Sequence, residues 1–137
     1  MLNSTLPEIY LITPPITDLE KFLHKLQKVI EKNKISCVRL RLSSTKETEI
    51  IDTTLLVKKL LDKWNIPLLI ENHYKIVTQL GLHGVHLTNG GQSILKVRQE
   101  LGTNYIIGAF CGNSKHKALI AAENGADYVS IGPLADT

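Results

Sequence analysis

Two arginines set two residues apart raise the first chemical question. The stretch Val38-Arg39-Leu40-Arg41-Leu42-Ser43 alternates apolar and polar side chains. A β-strand sends successive side chains to opposite faces. Arg39, Arg41 and Ser43 therefore share one face, and Val38, Leu40 and Leu42 share the other. The apolar face belongs against helices, so the arginines point into a barrel or onto the far face of an open sheet. Two guanidinium groups held on one inward face are costly unless they meet anions. Their planar forks match phosphate oxygens. Anion binding is the expectation, and a structural ion pair with Glu71 is the competing reading of the same residues.

A second concentration of polarity closes the stretch Leu68-Leu69-Ile70-Glu71-Asn72-His73. Barrel active sites are built at such strand ends, although a strand emerging into solvent has the same look. His83 and His86 have an HxxH spacing. One falls in a turn and the other in a strand, so a zinc pair is discounted and hydrogen-bonded polar histidines are expected. His24 and His116 read as surface residues of helices. No nucleophile–base pair can be assembled from these residues, and no catalytic residue is assigned. Gly132-Pro133, at the end of a strand, makes a loop through which backbone can approach a ligand.

These residues need elements to hold them. Strand-like and helix-like stretches alternate along the chain. Strands are predicted at 9–13, 36–43, 67–72, 84–88, 105–111 and 128–134. Helices are predicted to open at Thr17, with Glu20 as capping partner, and at Ser44, with Glu47. Shorter helices follow at 74–80, 93–101 and 114–124. Gly81, Gly102 and Gly125 each end a helix just before an apolar strand. The segments Gly81-Leu-His-Gly-Val-His-Leu and Gly125-Ala-Asp-Tyr-Val-Ser-Ile echo each other, which marks a repeated βα module. Such alternation implies a parallel sheet. An open doubly wound sheet and a barrel both fit. The chain has neither a GxGxxG loop nor a P-loop, and the very short units after residue 67 favour the barrel. Six strands would leave two parallel edges, for which a second copy or a barrel-completing partner is the expected cover.

The 137 residues suffice for one domain spanning 1–137, and 43% hydrophobic residues suffice for one core. The net charge of +3 comes from sixteen basic and thirteen acidic residues. They are interspersed, so nucleic acid is not an expected partner. Lys25, Lys28, Lys32 and Lys34 read as the solvated face and end of one helix. No apolar run approaches the roughly 18 residues of a membrane span, and the N-terminus lacks the pattern of a secretory signal. Cys37 and Cys111 sit in apolar contexts, as reduced core thiols of a cytoplasmic protein would.

Taken in order, these segments resemble the thiamine-phosphate synthase family. Ile9-Tyr-Leu-Ile-Thr13 is similar to its first strand. Val38-Arg-Leu-Arg41 falls on Q-L-R-x-K, and Ile70-Glu-Asn-His73 on I-N-D-R. Gly84-Val-His-Leu87 matches G-V-H-L, and Ile106-Ile-Gly108 the start of I-I-G-V-S. Gly125-Ala-Asp-Tyr128 through Gly132-Pro133, with Thr137, matches G-A-D-Y-V-x-x-G-P-x-x-x-T. The resemblance implies a (β/α)₈ barrel of which this chain holds the first six βα units. It implies coupling of a pyrimidine methyl pyrophosphate to a thiazole phosphate, with release of pyrophosphate and Mg²⁺ on the leaving group. The implied ligands are thus small phosphorylated pyrimidines or thiazoles, with neither nucleic acid nor membrane as partner. Carried over, Arg41 contacts pyrophosphate, Arg39 stands for a glutamine and Ser43 for a lysine. Glu71 replaces an asparagine and Asn72 the first Mg²⁺ aspartate, so any metal site would use Glu71 and Asn72. The second metal aspartate falls near Gly91, and Phe110 takes the place of a serine. Arg39, Arg41, Glu71, Asn72, Gly132 and Thr137 form the implied substrate-binding set.

Overall fold

The computed structural model describes residues 8–89 and 94–133. Its elements alternate: β1 (Ile9–Ile12), α1 (Leu19–Lys32), β2 (Ile35–Leu40), α2 (Glu47–Asp62), β3 (Leu68–Glu71), α3 (Lys75–Leu80), β4 (Gly84–Leu87), α4 (Ile94–Leu101), β5 (Ile106–Phe110), α5 (Lys115–Glu123) and β6 (Tyr128–Ser130). They fall into two compact units, Met1–Leu68 and Leu69–Thr137.

In the first unit β1 and β2 pair in parallel, with Leu11 opposite Val38 and Ile12 opposite Arg39. Val38 and Leu40 are fully buried, Arg39 is half-buried and Arg41 is exposed. The alternation expected of this strand therefore holds. Its ladder bonding ends sooner, at Leu40 rather than Ser43.

Both expected capping boxes are corrected. α1 is capped by Asp18, not Thr17: the Asp18 carboxylate accepts from Lys21 N at 3.1 Å. An anion there also meets the positive end of the helix dipole, which a threonine hydroxyl does not. Ser44 lies outside α2, which starts at Glu47 after an N-cap Lys46 that makes no side-chain capping bond. Ser44 Oγ instead accepts from Lys46 N at 3.1 Å and donates to Glu49 Oε2 at 2.6 Å.

In the second unit β3, β4, β5 and β6 pair in chain order, all parallel. Ile70, Val85, Ile107 and Ala109 are fully buried, and by strand alternation they share one face. The other face carries the row Glu71, His86, Gly108 and Tyr128, each opposite the next.

The helix-ending glycines stand where expected. Gly81, Gly102 and Gly125 have φ of 71°, 87° and 109°, a region where a Cβ is strained. After α3, Leu82 N donates to Val77 O at 2.9 Å; after α5, Ala126 N donates to Ala121 O at 3.1 Å. Each bond reaches back five residues to a carbonyl of the last helical turn. The two echoing sequence segments are thus one repeated turn. Asn65 (φ 54°) closes α2 in the same way, with Ile66 N donating to Leu61 O at 3.1 Å.

One side chain of α4 binds several of these turns together. The Arg98 guanidinium donates to Gly102 O (2.8 Å), Tyr105 O (2.8 Å), Gly125 O (3.0 and 2.7 Å) and Asp127 Oδ2 (2.7 Å). That occupies every N–H a guanidinium has. Asp127 Oδ2 also accepts from Ile107 N at 2.8 Å, and Asp127 N donates to Ile107 O at 2.7 Å. Replacing Arg98 by alanine strands three carbonyls and a carboxylate. It should destabilise the fold by about 2–4 kcal/mol, partial exposure keeping the loss below that of a fully buried pair. Arg98→Lys, with one ammonium in place of a planar fork, should recover less than half of the loss. Urea denaturation of the three proteins measures both differences.

Candidate functional site

In the first unit, the ends of β1 and β2 hold the arginines. Thr13 N donates to Arg39 O at 3.0 Å, and Thr13 Oγ1 accepts from Arg41 N at 2.9 Å. The main chain of Arg41 is therefore fixed by a threonine that is only 2% exposed, while its side chain reaches outward. The Arg39 guanidinium carbon lies 5.8 Å from the centre of the Tyr10 ring, within cation–π range. Ser43 is exposed, and its hydroxyl donates to Ile16 O at 3.4 Å. A cavity of about 240 Å³ opens beside these loops, lined by Ile16, Leu42, Ser43, Ser44 and Glu49 among others; the arginines do not line it.

The second unit places Glu71, half-buried, at the end of β3. Asn72 follows in the left-handed conformation at φ 67°, which asparagine tolerates better than most residues. Its N–H donates to His86 O at 2.9 Å, and its C=O accepts from Tyr74 N at 2.8 Å on the way into α3. Its side chain bonds Thr88. Oδ1 accepts from Thr88 N at 2.9 Å, and the Thr88 hydroxyl either donates to Oδ1 at 3.1 Å or accepts from Nδ2 at 2.8 Å.

Of the two residues implied for a metal, Glu71 brings a carboxylate, whereas the Asn72 amide does not suit Mg²⁺, which takes carboxylates, phosphate oxygens and water in octahedral geometry. The Asn72 oxygen is neutral and already accepts from Thr88 N. Among the described residues no group of three or more His, Cys, Asp or Glu side chains converges as a metal site. Gly91 and Thr137 lie outside the described residues. Gly132 N donates to Gly112 O at 3.0 Å, so the backbone of this loop is fixed to the loop after β5. Phe110, at the end of β5, is 36% exposed and sits opposite Ser130.

A buried polar pair was not foreseeable as a pair. His86 is 1% exposed, and its Nδ1 lies 2.8 Å from Tyr128 Oη, with the two rings stacked at 5.7 Å. His86 and Tyr128 flank Gly108 in the register, and a Cβ on Gly108 would stand 2.0 Å from the Tyr128 ring. The missing side chain lets Tyr128 cross β5 to reach β4. His86 is thus the hydrogen-bonded histidine that its context predicts, and its partner is signalled only by a glycine inside a strand. Neither thiol is in a disulfide among the described residues; Cys37 Sγ donates to Val38 O at 4.0 Å and Cys111 Sγ to Ala109 O at 3.8 Å. Burial pushes Cys37 up to about 11. It pushes Cys111 up as well, against a smaller opposing effect of Lys117.

Parallel βα units with polar residues at the C-terminal ends of their strands define an α/β protein of the barrel type. The likeness to a solved structure agrees: thiamine phosphate pyrophosphorylase from Pyrococcus furiosus superposes with a TM-score of 0.75 at 21% identity, over 93% of this chain and 61% of that one. The chain matches the thiamine monophosphate synthase family over residues 9–137, and it belongs to that family. Similar proteins include the thiamine-phosphate synthases of Rhodospirillum centenum, 29% identical over 129 residues, and Hyphomonas neptunium, 33% identical over 134. These alignments cover 94% of this chain in each case, and 62% and 61% of the relatives. The chain therefore spans about three fifths of the length of these relatives. None of the helices described is long and apolar enough to cross a membrane.

Two outcomes test this geometry. Gly108→Ala should break the His86–Tyr128 bond and lower the urea midpoint, at a cost of about 2 kcal/mol or more; Tyr128→Phe, which removes only the hydroxyl, should cost less. Iodoacetamide should modify Cys37 in the folded protein at pH 8 about a hundredfold more slowly than in urea. Only the thiolate reacts, and a raised thiol pKa leaves it correspondingly scarce. The folded rate should keep climbing with pH beyond 9, where the unfolded rate levels off.

Proposed function

We propose that this chain binds the pyrophosphate end of a pyrimidine methyl pyrophosphate, in the coupling that forms thiamine phosphate from a thiazole phosphate. The observation that carries this reading is the pair Arg39 and Arg41 on the polar face of β2, with the Arg41 main chain fixed by buried Thr13. In such a coupling the bond between the methylene carbon and the pyrophosphate oxygen breaks, and negative charge grows on the departing group. Guanidinium groups already in place stabilise that charge without reorganising at the moment of reaction. Arg41 is the exposed member of the pair and is assigned the direct contact. Arg39, half-buried against Tyr10, is assigned a supporting charge. Glu71, Asn72, Gly132 and Thr137 complete the proposed substrate-binding set, Asn72 by holding the strand end through Thr88 rather than by a contact of its own. Mg²⁺ is the metal the family implies, and no step is assigned to it because the Asn72 donor set does not suit it.

Coupling is measured by incubating the chain with both substrates and following thiamine phosphate. Product supports the enzyme. Pyrophosphate binding without product supports a non-catalytic phosphate-binding relative, which the engaged amide of Asn72 favours. In either case Arg41→Ala should weaken pyrophosphate binding about tenfold or more, since a charge-assisted hydrogen bond contributes about 1.5–3 kcal/mol. Arg41→Lys should restore part of it. Unchanged affinity in Arg41→Ala, measured calorimetrically on a protein with wild-type circular dichroism, rejects the assignment.

A further inference from the structure

The ends of β3 and β4 are closed by an amide. Asn72 turns its main chain away from β4 once its N–H has met His86 O. Its side-chain amide then takes the place the next peptide would have occupied. Oδ1 accepts from Thr88 N, as a strand carbonyl would, and the Thr88 hydroxyl stands beside Nδ2 and Oδ1. The hydroxyl lies within reach of both amide atoms and serves one at a time, donating to Oδ1 or accepting from Nδ2. The parallel pairing thus runs one step beyond Leu87, the last residue of β4.

The choice of amide over acid decides what this corner can do. An aspartate here would have the same reach and a similar tolerance of positive φ. It could keep Thr88 N on one oxygen and offer the other, with its charge, to a divalent cation. It could not donate to the Thr88 hydroxyl. Asparagine does the reverse: it can donate to the Thr88 hydroxyl and carries no charge for a cation.

We infer that the Asn72–Thr88 clasp holds the ends of β3 and β4 in the role a divalent cation would otherwise fill, so that this chain takes pyrophosphate-class anions without Mg²⁺. The anion half rests on the phosphate-binding reading above; the clasp half stands without it.

Two measurements on the full chain test it. In ¹⁵N-resolved NMR, MgCl₂ should leave the Asn72 side-chain amide and Thr88 N–H signals unmoved. By calorimetry, inorganic pyrophosphate should bind at least as tightly in EDTA as in MgCl₂, once free pyrophosphate is corrected for its magnesium complex. Asn72→Asp should lose the clasp signals and bind pyrophosphate about tenfold more tightly with MgCl₂ than with EDTA. A saturable Mg²⁺ shift of the wild-type signals, or loss of wild-type pyrophosphate binding in EDTA, overturns the inference. If pyrophosphate binds under neither condition, the phosphate-binding reading fails, and the magnesium titration alone decides the clasp.

Discussion

A strand can follow a helix at close quarters only if the chain reverses at once and the last helical carbonyls find donors. That requirement recurs through this protein, and a few residues meet it. Asn65, Gly81, Gly102 and Gly125 adopt positive φ at the ends of α2, α3, α4 and α5. Three of those turns return an N–H to a carbonyl five residues back. Arg98 then satisfies carbonyl oxygens at two of them, Gly102 and Gly125, while its bond to Asp127 reaches the start of β6. Asp127 in turn holds Ile107 of β5. The positions of β5 and β6, and so of Gly108 and Tyr128, follow from how those turns close.

Each group of candidate residues inherits its geometry from a strand end. In the first unit, buried Thr13 sets the backbone from which Arg41 projects. In the second, Asn72 both ends β3 and begins the turn into α3. A residue that reverses the backbone while bonding through its side chain has little freedom for another task. The same economy applies to His86, whose imidazole faces Tyr128 and whose carbonyl receives Asn72 N–H.

Much of the fold was legible in the sequence because its signals are local. Period-two alternation placed Arg39 and Arg41 on one face, and the three glycines marked helix ends through a conformation few other residues accept. The capping boxes misled because Thr17 and Ser44 compete with neighbours: Asp18 is charged and one position closer to α1, and Ser44 finds Glu49 in preference to Glu47. The contacts of the candidate site were less legible. Asn72–Thr88, His86–Tyr128 and Arg98–Asp127 join residues 16, 42 and 29 positions apart. Such pairs depend on strand register, which no single segment encodes. Even so, the family motifs contain part of the answer. The Asp of Gly125-Ala-Asp-Tyr128 is the partner of Arg98, and its Tyr is the partner of the His in Gly84-Val-His-Leu87.

The glycine at 108 has a consequence for how this sequence can drift. Tyr128 lies where a side chain on residue 108 would stand, so one aromatic ring fills two addresses on the sheet. Positions 108 and 128 are therefore not independent letters. Among descendants of this chain, a larger residue at 108 is admissible only alongside a smaller one at 128, and His86 would then need a new companion. Covariation of these three columns, rather than conservation of any one of them, is the trace such an arrangement leaves in a lineage.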